Sequence, residues 1–304
     1  MNLNPCYGYS KAGGKVFLAA LLLILSSSLS FASDKALSLR FKFAIDSFRG
    51  TPFSAPSGIF VDNKNRELYV ADGGRSDVLI FDTSGAALFA VGRNRGVANP
   101  FDVVAKDGRI YVSEDGKNQI DVYGYRGELS GRLVPEQGPF SPGMMALDAD
   151  GNIYAINRAN TTCAVFDANG VFLTTVGKGL TSLAGVAVSK DRIYLITPYD
   201  SRAVQVYDKQ GRRIMAFEAL EDRGGTLGLP VSAKVDQYGL LWVLDALRGI
   251  VVYDEQGKEA ARFSIIGKTR GALFFPVDIE IDAEDSLYVL EKGGKKISIF
   301  KIER

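Results

Sequence analysis

Four charged residues interrupt apolar stretches of this 304-residue chain: Asp102, Lys234, Asp278 and Glu280. Carboxylates in such places can transfer protons or serve as oxygen ligands of a divalent cation such as Ca²⁺. Asp102 and Asp278 are the candidate ligands for that metal alternative. Lys234 and Glu280 could form a buried ion pair that fixes the register of two strands, or a binding site in a channel. Both interpretations stay open.

Composition excludes much other catalytic chemistry. The chain contains no histidine, so zinc bound by imidazole and a histidine general base are both impossible. Cys163 has no histidine partner and stands in the apolar run CAVF, which is typical of a core thiol. We therefore expect no catalytic residue and no cofactor, with Ca²⁺ or a similar divalent ion only in the alternative.

The elements that must position these residues are short strands. Residues 142–177 read as four strands rich in β-branched and aromatic side chains, separated by Asp/Gly turns. A single four-stranded antiparallel sheet with two apolar faces cannot bury both of them alone. The unit therefore requires copies of itself.

Those copies are marked by an aromatic residue in the second strand, which recurs every 40–48 residues. The six aromatics are Tyr69, Tyr111, Tyr154, Tyr194, Trp242 and Tyr288. The first strands begin near Pro56, Pro100, Pro142, Leu183, Pro230 and Pro276. Four strands in each repeat of roughly 40–45 residues predict an all-β fold, a six-bladed β-propeller of four-stranded antiparallel blades.

Ring closure follows from the two ends of the propeller, residues 33–304. Residues 37–46 alternate apolar and polar side chains, as a strand with one buried face does, and the last repeat stops after its third strand. We expect this N-terminal strand to complete the sixth blade and remove the free edges.

Residues 1–32 resemble a signal peptide. Two lysines precede a ten-residue apolar run, and a small-x-small site ends at Ala32. Cleavage there predicts an exported protein, periplasmic or extracellular, with no membrane span, although an uncleaved anchor is the alternative. Cleavage after Ala32 would leave 34 basic and 35 acidic groups, and this balance of charge argues against a nucleic-acid partner.

Two sets of polar residues are predicted at one end of the propeller, the mouth, which carries the turns between second and third strands. Three residues after each aromatic stand Asp72, Glu114, Asn157, Thr197, Asp245 and Glu291. Each following turn contains a base: Arg75, Lys117, Arg158, Arg202, Arg248 and Lys295. The acidic set could cap turns, and the basic set could be solvated charge or a binding rim. We expect both sets, with Asp102 and Asp278, at this mouth, as a negative centre inside a positive rim.

The repeats resemble NHL repeats. The resemblance rests on the pattern PSGIFVD…LYVADGGRSDVLIFD at residues 56–82 and on PVDIEID…LYVLE at residues 276–291. It implies a six-bladed propeller whose mouth is the usual binding face. Histidine-dependent lyases of this kind are ruled out by composition, whereas lactonases with a divalent ion in the channel are not.

We therefore expect an exported, non-catalytic propeller, monomeric, that binds a protein or another cell-envelope component through its mouth. The alternative is a hydrolase or lactonase with an oxygen-bound divalent ion in the channel, held by Asp102 and Asp278.

Overall fold

The computed structural model describes residues 36–304, which form an all-β ring. The predicted signal peptide, residues 1–32, lies outside the described residues. Within the described part, helix is limited to two single 3-10 turns, Arg93–Arg95 and Glu221–Arg223. None of the helices in residues 36–304 has the length and apolar character needed to cross a membrane.

Six four-stranded antiparallel sheets are the blades of the predicted propeller. The chain begins with β1 (Ser38–Ile45) and a two-stranded ribbon, β2 (Ser47–Phe48) and β3 (Thr51–Pro52). Blade one contains β4 (Pro56–Asp62), β5 (Glu67–Asp72), β6 (Asp77–Asp82) and β7 (Ala87–Gly92). Blade two contains β8 (Pro100–Lys106), β9 (Arg109–Glu114), β10 (Ile120–Gly124) and β11 (Leu129–Leu133). Blade three contains β12 (Pro142–Leu147), β13 (Ile153–Asn157), β14 (Thr162–Phe166) and β15 (Phe172–Val176).

The second half of the ring repeats this order. Blade four contains β16 (Gly185–Val188), β17 (Arg192–Ile196), β18 (Val204–Asp208) and β19 (Arg213–Phe217). Blade five contains β20 (Pro230–Val235), β21 (Leu241–Asp245), β22 (Gly249–Tyr253) and β23 (Glu259–Phe263). Blade six contains β24 (Pro276–Ile281), β25 (Ser286–Glu291) and β26 (Lys296–Glu303). Five first strands start at the marking proline, and the fourth, which has none, starts at Gly185.

The N-terminal strand closes the ring, as predicted. β1 pairs antiparallel with β26 from Ser38 opposite Glu303 to Ile45 opposite Ile297, with one irregularity beside Lys42. Leu39 and Phe41 pack into the core shared by blades five and six, and the Phe41 ring meets that of Phe300 edge-on at 5.6 Å. The last blade is therefore complete only when both ends of the propeller meet.

In blades one to five a glycine follows the third strand, and it has a geometric reason. In blade one, Asp82 ends the third strand and its Oδ1 accepts the backbone amides of Ser84 and Ala86, each at 2.9 Å. Gly85 in this turn has φ of +93°, a conformation that side chains disfavour. The same carboxylate–amide turn, with glycine at positive φ, follows Asp167, Asp208 and Asp254.

Second strands carry the core, and their aromatics are anchored by hydrogen bonds. The Tyr154 hydroxyl donates to Asp148, the Trp242 indole to Asp236 and the Tyr288 hydroxyl to Asp282, each at 2.9 Å. Each acceptor stands at the end of the first strand, six residues before its aromatic. A buried polar tip needs such a partner, so this spacing, which the sequence analysis missed, ties strand one to strand two.

Candidate functional site

The candidate site lies on the axis, where the first strands β4, β8, β12, β16, β20 and β24 line the channel. Lys234 of β20 and Glu280 of β24 meet there, with Nζ 2.7 Å from Oε2 and 2.8 Å from Oε1. The ammonium group also lies 5.8 Å from the centre of the Phe60 ring. Burial raises the pKa of the Glu280 carboxyl, and the Lys234 charge opposes that rise. The predicted neighbours are thus an ion pair across blades five and six.

Asp278 joins three blades. Its Oδ2 accepts the Ile59 amide of blade one at 2.9 Å, and its Oδ1 accepts the Ser232 hydroxyl of blade five at 2.6 Å. The Ile279 amide adds a third bond to Oδ1 at 2.9 Å. Burial nevertheless raises the pKa of the Asp278 carboxyl to about 7, because these neutral donors only partly replace water around the charge.

Asp102 of blade two makes the equivalent bond, two blades further around the ring. Its Oδ2 accepts the Met145 amide of blade three at 2.5 Å. On the other side, a Cβ on Gly58 of blade one would lie 2.1 Å from Asp102 Oδ1, so only glycine leaves room for this carboxylate. Burial, and then the charge of Asp278, raise the pKa of Asp102 well above its ordinary value.

The first strands of neighbouring blades approach each other closely at the level of these aspartates. A Cβ on Gly58 would be 2.7 Å from the Asp102 backbone, and one on Gly185 would be 3.0 Å from the Ser232 backbone. Two positions further along the first strands, Ala146 and Ala187 leave space on blades three and four. Lys234 and Glu280 occupy the corresponding places on blades five and six. The small residues therefore leave a cavity beside the ion pair.

That cavity measures about 340 Å³, and Asp278 and Ile59 are among the residues that line it. It extends to the turns between first and second strands, at the end of the propeller opposite the mouth. The turn residues lining it are Asn63, Ala149, Lys190, Gln237 and Ala283. Asp102 does not line it. Asp278 therefore lines a cavity that reaches the end of the ring opposite the predicted mouth.

The predicted negative centre of the mouth is wrong. Asp72, Glu114, Asp245 and Glu291 have no exposed surface. Each carboxylate accepts backbone amides of the loop that enters its own blade, such as Ser54 and Ala55 on Asp72, both at 2.8 Å. Asn157 does the same with the amide of Ser141 at 3.0 Å. These side chains fasten the inter-blade loops, as the capping interpretation requires.

The basic set does lie at the mouth, but most of it is paired. Lys117 Nζ lies 2.5 Å from Glu114 and 2.6 Å from Asp121, both buried. Three arginines also have carboxylate partners, namely Arg75 with Asp77, Arg158 with Asp115 and Arg248 with Glu221. Arg202 and Lys295 are exposed and form no ion pair with any of residues 36–304. Only part of the predicted rim is therefore free charge.

A divalent ion does not fit the residues predicted to hold it. Ca²⁺ takes about six to eight oxygen ligands, whereas Asp278 uses both carboxylate oxygens on blade contacts and Asp102 uses Oδ2 on the Met145 amide. Within residues 36–304, no three His, Cys, Asp or Glu side chains are grouped as metal ligands. The Cys163 thiol is buried, which raises its pKa to about 12, so it is a core residue rather than a nucleophile.

One feature of the mouth, an exposed aromatic pair, was not among the predicted site residues. Phe274 and Phe275, in the loop entering blade six, are 38% and 56% exposed, and Lys268 Nζ lies 4.6 Å from the centre of the Phe274 ring. In the sequence, Phe274 and Phe275 stand directly before Pro276, the first residue of a first strand. In four other blades the residue before that proline is Ala55, Asn99, Ser141 or Leu229.

Known structures share the fold. A gluconolactonase from Xanthomonas campestris is 17% identical over 87% of this chain and 91% of its own, with a TM-score of 0.66. A streptogramin B lyase matches at 15% identity, covering 88% of this chain and 98% of its own, with a TM-score of 0.62. A virginiamycin B lyase from Staphylococcus aureus, catalytically inactive through replacement of one histidine by alanine and bound to quinupristin, matches at 15% identity. It covers 88% of this chain and 87% of its own, with a TM-score of 0.63.

No family model matches the chain, and no curated protein matches it. At these identities, the structural likeness concerns the fold alone. The chain is a six-bladed β-propeller whose structural neighbours include lyases and a gluconolactonase.

Proposed function

We propose that this chain is an exported, non-catalytic propeller of the NHL type that recognises a protein or another cell-envelope component through an end of its ring. The NHL assignment rests on the repeat pattern of residues 56–82 and 276–291. Export rests on the signal-like pattern of residues 1–32. Propellers serve binding and catalysis alike, so the fold does not choose between them.

The non-catalytic assignment rests on the hydrogen bonds and the ion pair that the carboxylates at the axis form. Asp278 accepts bonds from blades one and five, and Asp102 accepts the Met145 amide of blade three. Glu280 is committed to Lys234. The acidic groups of the channel therefore hold the blades together, and a carboxylate already used in such contacts is a poorer base or metal ligand.

The lyase neighbours do not provide a mechanism that this chain could use. One of them is inactive after the loss of a single histidine, and this chain contains no histidine. Binding of a ligand at an end of the ring requires no such group.

One observation favours a second candidate, a hydrolase or lactonase. Asp278 lines a cavity of about 340 Å³, and its pKa of about 7 is suited to proton transfer near neutrality. In this alternative Asp278 could still accept a proton, but Asp102 and Asp278 do not fit as ligands of a divalent ion. We rank it second because the Asp278 carboxylate already accepts three hydrogen bonds.

The experiment is affinity capture from a cell-envelope extract, with the chain lacking residues 1–32 as bait. Two variant baits locate the binding end: Lys234→Met/Glu280→Gln alters the cavity, and Arg202→Glu/Arg248→Glu alters the mouth. A component that the wild type captures, and that one variant loses while the other keeps it, supports the proposal.

Elemental analysis and calcium titration of the same preparation test the alternative. Bound calcium at a hundredfold excess over its dissociation constant would stabilise the fold by about 2.7 kcal/mol. A stoichiometric divalent ion, a melting temperature that rises with calcium, and lactone hydrolysis lost in Asp278→Asn would contradict the binding proposal and favour the hydrolase.

A further inference from the structure

We infer that the exposed Phe274–Phe275 pair and the lysines around it form a docking surface for an acidic peptide segment that contains aromatic side chains. This inference rests on the proposed binding function and specifies its surface and partner. The surface, termed here the FF patch, consists of Phe274, Phe275, Lys268, Lys292 and Lys295.

The FF patch is one continuous feature of the mouth beside blade six. The Phe275 carbonyl accepts the Lys292 amide at 3.0 Å, and the Phe274 carbonyl accepts the Gly294 amide at 3.1 Å. A Cβ on Gly293 would lie 2.8 Å from Phe275 and 2.9 Å from Phe274. Because Gly293 has no side chain, the two phenylalanines rest on the turn between β25 and β26.

Phe275 keeps an unfavourable backbone to hold this position. Its φ is +56°, although it is a bulky residue and precedes Pro276, where extended conformations are preferred. The bond that its carbonyl makes to the next turn does not demand this φ. Ala55, Asn99, Ser141 and Leu229 accept the equivalent bonds and have no positive φ. The conformation is thus specific to the site that presents an exposed aromatic, and strain of this kind clusters at binding sites.

The charge of the FF patch indicates the partner. Lys268, Lys292 and Lys295 are exposed, and none forms an ion pair with any of residues 36–304. The nearby carboxylate, Glu291, is buried and bound to the Phe274 amide and to Lys296. Three free ammonium groups around two exposed rings complement acidic side chains interleaved with aromatic ones, because aromatics dominate contact energy and charge directs encounter.

The test uses short fluorescent peptides and the chain lacking residues 1–32. One peptide combines aspartates with tryptophans, a second has serine in place of tryptophan, and a third has lysine in place of aspartate. We expect the first to bind at least about tenfold more tightly than the other two. Equal binding of all three would overturn the inference.

The main variant is Phe274→Ser/Phe275→Asn, which removes both rings without changing charge and places asparagine where φ is positive. It should fold and should weaken the first peptide at least about tenfold. Its matched control is Tyr199→Ser, which removes a 63% exposed aromatic from the blade-four turn and should change nothing. Loss in both variants, or in neither, would contradict the assignment to the FF patch.

The charge arm compares Lys292→Glu with Arg202→Glu, two equal reversals at the mouth. The first should slow association most at low salt, with the deficit shrinking as salt rises, and the second should slow it less. Envelope capture then separates the two levels of the proposal. A component retained by Phe274→Ser/Phe275→Asn refutes the patch and leaves the binding function standing, whereas no capture by wild type refutes the function itself.

Discussion

The Asp278 carboxylate accepts the backbone amide of Ile59 at 2.9 Å, and this bond joins the last blade of the ring to the first. The two residues are 219 positions apart in the chain. A propeller must hold its first and last blades together. Here the buried Asp278 side chain at the axis adds to the pairing of β1 with β26 at the outer edge of blade six. The contact between blades six and one therefore contains a titratable group, the Asp278 carboxyl.

The contribution of Asp278 to stability should therefore fall as pH rises toward neutrality. The pKa of Asp278 is raised from 3.8 to about 7 in the fold, so the folded state binds more protons than the unfolded chain between these values. Its contribution is fully present below pH 3.8 and is lost as pH rises through about 7. Asp102 and Glu280 are shifted in the same direction.

Asp278→Asn should reduce this pH dependence by up to a few kcal/mol, since one pKa unit corresponds to about 1.4 kcal/mol. The amide keeps an oxygen for Ile59 and can donate to Ser232. Urea denaturation from about pH 4 to about pH 8 measures the effect, with Asp222→Asn, at an exposed loop position, as control. An unchanged pH profile in Asp278→Asn would show that this carboxyl is not the titrating group.

The Lys234–Glu280 pair should show strong coupling. Lys234→Met leaves a buried carboxylate without its partner, and breaking a buried pair costs about 3–5 kcal/mol. We expect about 2–3 kcal/mol, because a quarter of the Lys234 side chain is exposed. Lys234→Met/Glu280→Leu should recover most of the loss, and a thermal double-mutant cycle measures the coupling. Additive effects of the two substitutions would mean that the pair contributes no specific interaction.

Ring closure should depend on the N-terminal strand. Deleting residues 33–48 removes β1 and exposes the surfaces that pack against Leu39, Phe41 and Ile45. Burial of each such side chain is worth about 1.5–3 kcal/mol, so we expect aggregation on size exclusion. Arg40→Ser, on the exposed side of the strand, is the matched control. A monomeric deletion product with the wild-type melting temperature would rule out closure by β1.

The mouth cations should differ in their effect on stability. Lys117→Met leaves Glu114 buried without its cation and Asp121 with only Arg132, 3.5 Å away, and we expect a loss of about 2–4 kcal/mol. Arg202→Met, at an exposed position without an ion pair among residues 36–304, should stay within about 0.5 kcal/mol. Denaturant midpoints compare the two. If both variants lost only a little unfolding free energy, the basic residues of the mouth would all be solvated charges.

Phe275→Asn should stabilise the protein. Asparagine tolerates the left-handed region better than phenylalanine, whose penalty there is about 1–2 kcal/mol, and the exposed ring contributes little packing. We expect a gain of about 1 kcal/mol in unfolding free energy, measured by urea denaturation. The control Phe274→Ser, outside the left-handed region, should give no such gain. A loss of stability in Phe275→Asn would mean that the ring packs more than its exposure indicates.

The propeller itself could be predicted from the sequence because its determinants are local. Recurring aromatics such as Tyr154, strand-starting prolines such as Pro142 and Asp-x-x-Gly turns such as Asp82 to Gly85 each specify a nearby strand or turn. Their repetition sets the number of blades, and the unpaired strand at residues 37–46 predicts the closure. Six adjacent first strands also suffice to place Lys234 beside Glu280.

Only the tertiary structure decided which polar side chains are buried and which charges are free. The spacing of Asp72 and Glu114 shows that they end second strands, but their burial depends on loops that fold back from the preceding blade. The cavity depends on side-chain volumes that meet across the axis, such as Ala146 and Glu280, from blades far apart in the chain. Such contacts leave no pattern in the nearby sequence, because the residues that touch are distant in the chain and meet only when the ring closes.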